Sequence, residues 1–254
     1  MWVTRVQLYD VFVELWLGVN RRRLQDSNLS QDDRRIFNDL LGAGFVSMGT
    51  GYAMRLALAI FERQNGNPIV QYTHLNDHDT WKAEFFGIDP NVRLLQESCP
   101  LTRAGNRFRF LHRSMLEYFF SRVVYNPVRT DDGSTTETET PSSTTHELDP
   151  SNPLFRRNWP IEPSIIQFLC DRVKLDSTFN QKLLSAANLP KTDTAVTTTT
   201  AAFNAITILV KAGIRFNGAD LQGIKVPGAD LSYGQFDSTQ LQGADLMGVD
   251  LSRS

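Results

Sequence analysis

The residue types that could do chemistry come together first at His112 and Ser114, in the stretch FRFLHRSMLEYFFSR. A histidine beside a serine is the pairing of a base with a nucleophile that covalent catalysis uses. Both residues stand at the start of a predicted helix, however, where a serine is explained more simply as a cap of the helix backbone. We therefore expect no catalytic role for this pair.

A second pair, His74 and His78, is spaced so that two imidazoles could bind a metal from one face of a helix. The residues between them, Asn76 and Asp77, favour a turn instead. The chain offers no second pair of ligands at a matching spacing. The sequence therefore predicts no metal site.

A cluster of glycines at positions 42, 44, 49 and 51 could form a phosphate-binding loop. Neither a preceding strand nor the lysine of a GxxxxGK[ST] motif accompanies them. Ser47 lies three residues after Gly44, which is the wrong spacing for the nucleophile turn of serine hydrolases. The sequence thus predicts neither an enzyme nor a bound cofactor, and an enzyme of an unrecognised type stays open as an alternative.

Overall composition narrows the class of protein further. A formal net charge of -2 over 254 residues gives no electrostatic reason to expect nucleic acid as a partner. The only cysteines, Cys99 and Cys170, are far apart, which is typical of buried thiols in a reducing compartment. The apolar run VFVELWLGV contains Glu14 and lacks the flanks of a signal peptide, and no stretch is predicted to span a membrane. We therefore expect a cytoplasmic protein.

Local composition divides the chain into regions. Residues 126–151 are rich in Thr, Ser, Asp, Glu and Pro, and they cannot bury enough apolar surface to offset chain entropy. We therefore expect a disordered linker there. The rest comprises an N-terminal module at 1–125, a helical connector at 152–213 and a C-terminal region at 214–254. A shorter polar stretch, PKTDTAVTTTT at 190–200, is predicted to be a loop.

The N-terminal module is predicted to open with a helix that carries a broad apolar stripe. Thr4 and Gln7 form a capping box at its start, and Arg21–Arg23 suit its negative C-terminal end. Periodicity predicts further helices at 51–63 and 79–87, with a weak helical stretch before the first of these because of the glycine cluster.

A hairpin and a further helix complete this module. Extended runs on either side of Ala104–Gly105–Asn106 predict the hairpin, and Ser114 with Glu117 is predicted to form a capping box that opens the next helix. Helices followed by a hairpin suggest a winged-helix arrangement. We do not expect DNA binding, because the helix after the hairpin carries aromatic residues rather than basic ones.

The stretch FRFLHRSMLEYFFSR resembles the F-x-H-x-S-x-x-E-Y/F-F-A motif in the arm region of NACHT-type STAND NTPases, the signalling ATPases and GTPases of innate immunity and fungal non-self recognition. TRVQLYDVFVELWL and GYAMRLALAIFE are similar to neighbouring helices of fungal members. The resemblance implies that His112 senses nucleotide bound in a separate NTPase domain. It implies packing and capping roles for Phe110, Ser114, Glu117 and Phe119.

The NTPase core itself has no counterpart in this sequence, which contains no P-loop. The resemblance therefore implies ATP or GTP only for a full-length parent protein and no cofactor in this chain. A purely structural histidine at a helix start stays open as the alternative for His112.

The C-terminal region repeats with a period of five. Large apolar residues occupy every fifth position: Phe216, Leu221, Val226, Leu231, Phe236, Leu241, Leu246 and Leu251. On an α-helix such a column wanders around the cylinder, and on a strand alternate copies face opposite sides. A turn in every repeat removes the conflict, so that the large residues all point inward and Asp, Lys, Arg and Gln point outward.

This pattern resembles the pentapeptide-repeat family, whose repeat is A-(D/N)-L-x-x, and the resemblance implies about two coils of a right-handed quadrilateral β-helix. We expect a helix at 201–212 to cap the first coil. Near Arg253–Ser254 no cap is visible, and we expect the chain to stop within the solenoid or to pair there with another molecule.

The predicted fold class is therefore an α+β multidomain protein, mainly α-helical, with a winged-helix-like hairpin followed by a short β-helix. The predicted function is that of a non-catalytic regulatory and protein-interaction portion of a NACHT signalling protein, coupling the nucleotide state of an NTPase domain to the repeats. The alternative is a free-standing adaptor that binds protein partners, or a second copy of itself, through the repeats.

Overall fold

The structure is a computed structural model that describes residues 3–73, 79–126, 148–156, 162–193 and 195–254. These residues are mainly helical, with one small antiparallel sheet. The chain divides into two compact units, Met1–Val123 and Val124–Ser254, and the boundary falls inside a helix. Residues 127–147, which make up most of the predicted linker, lie outside the described residues.

The first unit begins with helix α1, Arg5–Asp26. The predicted capping box is confirmed, since Thr4 Oγ1 accepts a hydrogen bond from the Gln7 backbone and the Gln7 side chain accepts one from the Thr4 backbone. The helix continues beyond the expected end at Arg21–Arg23 and stops at Ser27, whose hydroxyl and backbone N–H both bind the Leu24 carbonyl. Helices α2, Gln31–Gly42, and α3, Phe45–Gln64, follow.

The glycine cluster has two structural roles in this region. Gly44 adopts a φ of 89° and separates α2 from α3, which explains the weak helical pattern there. Gly49 lies inside α3, and a Cβ at this position would be 2.8 Å from Leu17 Cδ2. The missing side chain therefore allows α1 to pack closely against α3.

No single described helix is both long and apolar enough to cross a membrane. Helices α2 and α3 meet the length and composition criteria only when taken together, and they are bent by 94°. Most apolar residues of α3 are buried in the core of the first unit.

Two short helices, α4 at Thr80–Phe86 and α5 at Pro90–Ser98, precede the sheet. The predicted hairpin is confirmed as β2, Leu101–Ala104, and β3, Arg107–Phe110, joined by a turn in which Gly105 has a φ of 64°. A short strand β1, Val70–Gln71, was not predicted and pairs antiparallel with β3, which gives the order β1-β3-β2.

Helix α6, Arg113–Tyr125, leaves the hairpin and supplies much of the aromatic core of the first unit. Phe120 lies 4.2 Å from Phe61 of α3 between ring centroids. Phe86 of α4 stacks on Phe108 of β3 at 4.3 Å. The core thus joins α3, α4, the sheet and α6 through aromatic contacts.

The second unit contains helices α7, Pro163–Leu175, α8, Ser177–Asn188, and α9, Val196–Lys211. Short 3-10 turns lie at Pro153–Phe155 and Leu189–Lys191. Every residue of α9 from Ala201 to Val210 is buried, so this helix is the centre of the unit. Its buried Asn204 donates to the Leu154 carbonyl at 2.8 Å, which satisfies the amide without water.

The prediction of a loop at 190–200 is wrong for its second half, because α9 begins at Val196 rather than at Ala201. Threonine has a low helix propensity, but here the hydroxyls bind carbonyls of the preceding turn. Thr198 and Thr199 donate to Ala195, and Thr200 donates to Val196. These bonds allow a polar run to form the first turn of a buried helix.

Candidate functional site

Residues 214–253 form two rows of five-residue units, with a turn in every unit and a bridged residue in all but the first unit of each row. The first row is 214–233 and the second row is 234–253. Parallel bridges join Asp220 to Gln240, Lys225 to Asp245 and Asp230 to Asp250. The pairing offset is constant at twenty residues, so that four units separate each paired position.

Backbone hydrogen bonds join the two rows along their whole length. Leu221 N donates to Gln240 O at 3.0 Å, and Gln240 N donates back to Ala219 O at 3.0 Å. The same bonds recur one unit further on, from Val226 N to Asp245 O and from Asp245 N to Ile224 O. The second row is therefore held in register by the first.

The turns explain why glycine follows most of the large residues at an interval of two. Gly218, Gly223, Gly228, Gly243 and Gly248 all have φ between 68° and 76°. This is the left-handed region, which glycine enters without steric cost. Tyr233, Ser238 and Arg253 occupy equivalent positions with φ of 65°, 60° and 60°, so the turn geometry persists where glycine is absent.

The large residues of the repeats line the interior of the two rows. Phe216, Leu221, Val226 and Leu231 of the first row are buried. In the second row, Leu241 is 37% exposed and Leu251 is 43% exposed. An apolar cavity of about 170 Å³ lies between these residues and Ile206 of α9. The repeats are thus well packed on the side of α9 and open on the other side.

Helix α9 lies against the first row. Thr207 Oγ1 accepts a hydrogen bond from Asp230 N at 3.3 Å, and Lys211 Nζ contacts both Asp230 Oδ1 and Ser232 Oγ at 2.7 Å. Burial raises the pKa of Asp230, but the hydrogen bonds from Lys211 and Ser232 outweigh it and hold that pKa below its usual value. The helix therefore covers the first row through both apolar and ionic contacts.

The outward positions of the two rows form aligned ladders of polar side chains. They are Arg215, Asp220, Lys225 and Asp230 in the first row, and Gln235, Gln240, Asp245 and Asp250 in the second. The aspartates have a structural role, which sequence reasoning missed. Asp220, Asp245 and Asp250 each accept a hydrogen bond from the backbone N–H two residues later. This role could have been predicted from the sequence, because an aspartate side chain in a turn often accepts a hydrogen bond from the backbone N–H two residues later.

His112, the candidate nucleotide sensor, is an exposed residue directly before α6. Its Nδ1 accepts a hydrogen bond from the Ser114 backbone N–H at 3.1 Å and lies 2.7 Å from Ser114 Oγ. The Ser114 hydroxyl also lies 2.5 Å from the Tyr9 hydroxyl of α1. A neutral ring that accepts at Nδ1 carries its proton on Nε2. The arrangement caps α6 and joins it to α1.

The predicted capping box of Ser114 and Glu117 is wrong. Helix α6 begins at Arg113, so Ser114 is already inside the helix, and the imidazole of His112 supplies the capping acceptor. Glu117 forms an ion pair with Arg113 at 3.0 Å. The capping pattern failed because histidine is seldom considered as an acceptor for a helix N-terminus, although its Nδ1 has the required geometry.

The remaining motif residues pack together. Phe110 of β3 and Phe119 of α6 are buried, and their ring centroids are 5.5 Å apart. Ser114 is only 6% exposed, which leaves its hydroxyl little access to a substrate. These residues join the hairpin to α6, and their geometry does not form a reactive site.

Other candidate residues are dispersed. Among the described residues, no group of three or more His, Cys, Asp or Glu side chains is placed to hold a metal ion. His74 and His78 lie outside the described residues. Cys99 and Cys170 are buried free thiols, and burial raises the pKa of Cys170 to about 12 and that of Cys99 further. Ser47 lies inside α3, so it does not stand on a nucleophile turn.

Comparison with protein-family models matches residues 214–253 to pentapeptide repeats, in eight copies. Neither the curated proteins nor the solved structures that were compared with the chain include a match. The match confirms the pentapeptide repeats that are predicted from the period of five. Such repeats suggest a protein-interaction or binding module.

Proposed function

We propose that the chain is a non-catalytic, cytoplasmic regulatory protein that binds protein partners through its pentapeptide repeats. The observation that carries the proposal is the twenty-residue pairing, which stacks the outward residues of the two rows into ladders. A surface held by backbone hydrogen bonds loses little conformational entropy when it binds. The ladders thus have the rigidity that an interaction surface needs.

In this proposal the two rows are coils of a right-handed quadrilateral β-helix, with one five-residue unit on each side. The constant offset and the left-handed turn at each unit support it. The coverage of the first coil by α9 supplies the cap that a solenoid end requires.

The ladder residues differ in how much of their bonding capacity is left for a partner. The carboxylates of Asp220, Asp245 and Asp250 accept backbone bonds within their own turns. Among the described residues, Lys225 and Gln240 occupy the same column without such a bond to their own turn, although Gln240 Oε1 accepts a hydrogen bond from Gln222 Nε2 at 2.6 Å. We therefore assign most of the specificity to these two side chains and expect the aspartates to add negative charge.

Variants of the ladder residues also test the alternative function, because a free-standing adaptor would bind its partners through the same residues. The variant Lys225→Glu with Gln240→Lys changes the charge pattern of the ladder and lowers the net charge by one. Lys174→Gln in α7 is the matched control, because it lowers the net charge by the same amount away from the repeats. A protein partner captured by the natural chain should be lost by the ladder variant and retained by the control. Retention by both variants would mean that the repeats do not carry the binding function.

The first unit is proposed to be the arm of a NACHT-type STAND protein, with a winged-helix-like arrangement of hairpin and α6. Its support is local: His112 is exposed, and its ring is fixed through Ser114 to Tyr9 of α1. A nucleotide held by a separate NTPase domain could meet the imidazole there. A change in that contact would alter the hydrogen bonds through which His112 and Ser114 connect α6 to Tyr9 of α1.

One observation separates the arm from the free-standing adaptor, and a second measurement tests the non-catalytic assignment that the two share. The arm requires an NTPase domain with a P-loop in the same reading frame ahead of Met1, and transcripts that all carry a stop codon there favour the adaptor. The chain by itself should bind neither ATP nor GTP tightly, because it has no P-loop. Tight binding of either nucleotide would contradict the non-catalytic assignment.

A further inference from the structure

Helix α1 has two apolar faces on opposite sides. One face is buried in the first unit and consists of Val6, Val13, Leu17 and Leu24. The other is exposed and consists of Leu8, Val11, Phe12, Leu15 and Val19, which we call the outward stripe. At about 100° per residue, these five residues fall in one sector that points away from the buried face.

The exposure of the outward stripe is large for a surface helix. Its side chains are between 39% and 62% exposed, so the rest of the first unit leaves them largely uncovered. Together they present roughly 500 Å² of apolar surface, which is comparable to the largest patch of a typical monomer and is often functional. Both apolar faces have helical spacing, so the amino-acid pattern alone does not tell which of them is buried.

We propose that two copies of the chain associate through the outward stripe, with the two α1 helices antiparallel about a two-fold axis. Leu8, Phe12, Leu15 and Val19 are separated by steps of four, three and four residues. This is the spacing of a coiled-coil seam, and it is unchanged when the helix direction is reversed. An antiparallel copy therefore sets Leu8 opposite Val19 and Phe12 opposite Leu15, as an isologous contact requires.

Gly18 gives an independent reason to expect a close approach by another helix. A glycine inside a helix costs roughly 0.5–1 kcal/mol relative to alanine. A Cβ at Gly18 would meet nothing within 4 Å, so packing inside the chain does not require this glycine. Gly18 lies on the same flank of the stripe as Val11. In the antiparallel pair, Val11 of one copy lies over Gly18 of the other.

The size and charge of the contact predict its strength. Two stripes with their flanking residues bury on the order of 1,000–1,600 Å², which is enough for a specific but weak dimer. We expect a dissociation constant of roughly 1–100 µM. Arg5 and Arg22 lie at opposite ends of the stripe, so the antiparallel pair brings Arg22 of one copy towards Arg5 of the other. Added salt should therefore strengthen the dimer by screening this repulsion.

Sedimentation velocity of the full chain, from about 1 to about 200 µM, tests the proposal. The natural chain should show a concentration-dependent dimer that becomes stronger when the salt concentration is raised. Leu15→Glu places charges at the centre of the contact and should lower the association constant at least about tenfold. Val196→Glu is the matched control, because Val196 is also an exposed apolar residue on a helix and is 82% exposed.

A cysteine introduced at one stripe position distinguishes the helix orientations. In the antiparallel pair, Leu15→Cys lies near its counterpart and should be cross-linked by a short bismaleimide, whereas Val19→Cys should not be. A parallel pair cross-links at both positions. Circular dichroism checks that each variant is folded, and Val11→Ser replaces Leu15→Glu if the charge disturbs the helix.

Three results would overturn the proposal. The first is a chain that stays monomeric over the whole concentration range. The second is a dimer that Leu15→Glu and Val11→Ser leave unchanged, which would locate self-association elsewhere, for example in the repeats. The third is a stripe-dependent association that weakens with salt, which would contradict the antiparallel arrangement that brings Arg22 of one copy towards Arg5 of the other.

Discussion

Lys211, the last residue of α9, lies 2.7 Å from the Oδ1 atom of Asp230 in the first row of the repeats. This ion pair links α9 to the first row, which the helix covers. Asp230→Asn keeps the shape of the side chain but removes the charge that Lys211 and Ser232 stabilise. We expect the variant to lower the free energy of unfolding by about 1 kcal/mol at pH 6, measured by urea denaturation.

The effect of Asp230→Asn should depend on pH in one direction. Because the pKa of Asp230 is lower in the folded chain than in the unfolded one, its contribution is complete above the unfolded value of about 3.9 and is lost as pH falls through the folded pKa. The difference between the natural chain and the variant should therefore shrink on acidification. Asp245→Asn is the control, since Asp245 has the same repeat position and makes no ion pair among the described residues. A difference that grows in acid would contradict the assignment.

The two rows should differ in how much their interior residues contribute to stability. Leu221 and Leu241 occupy the same repeat position in successive rows, but Leu221 is 5% exposed and Leu241 is 37% exposed. We expect Leu221→Ala to cost about 2–4 kcal/mol of unfolding free energy and Leu241→Ala about 1 kcal/mol, in the same denaturation experiment. Equal losses in the two variants would mean that the second row is as enclosed as the first.

Replacing two glycines of α3 by alanine should change the stability of the chain in opposite directions. A Cβ at Gly49 would be 2.8 Å from the buried Leu17, whereas at Gly51 the nearest atom is Arg55 Nη1 at 3.6 Å, an ordinary contact. Gly49→Ala should therefore destabilise the chain by about 1–3 kcal/mol through overpacking. Gly51→Ala should stabilise it by roughly 0.5–1 kcal/mol through helix propensity. Thermal denaturation measures both, and a stabilising Gly49→Ala would refute the close contact of α1 with α3.

An element of the fold could be predicted from the sequence where the residues that specify it are close to one another in the sequence. Gly105 with Asn106 fixed the hairpin, and Thr4 with Gln7 fixed the start of α1, because each motif is satisfied by residues close in sequence. Strand β1 was missed because its two residues gain their strand geometry only by pairing with β3. The Thr-rich start of α9 was missed because the helix is stabilised mainly by the buried residues that follow it, Ala201 to Val210, which outweigh the low helix propensity of threonine.

The same holds for the candidate site: features specified by neighbouring residues could be predicted, and contacts between residues far apart in sequence could not. The period of five identified the large interior residues of the repeats, since the same turn recurs in each unit. The contact of Tyr9 with Ser114 could not be predicted, because these residues are far apart in sequence and only the folded first unit brings them together. The ion pair of Lys211 with Asp230 likewise depends on how α9 lies on the first row.

The two cysteines should be unreactive in the native chain. Both thiols are buried, and burial raises the pKa of Cys170 to about 12 and that of Cys99 further. At pH 8 the native chain therefore holds almost no thiolate, whereas an unfolded thiol has a pKa of about 8.5. An aromatic disulfide reagent should modify the cysteines only after denaturant is added. Rapid modification of the native chain would show that at least one of the thiols is accessible.

The central claim is that the repeats are two stacked coils, with four five-residue units between paired positions. Nitroxide spin labels test it most directly, with cysteines introduced at Asp220 and Gln240 in one variant and at Asp220 and Asp230 in another. Residues 220 and 240 are paired across the rows, so their backbones are about 5 Å apart and strong dipolar broadening is expected. In the proposed β-helix, residues 220 and 230 lie on opposite sides of one coil, and their labels should show much weaker coupling. Stronger coupling between 220 and 230 than between 220 and 240 would contradict the account.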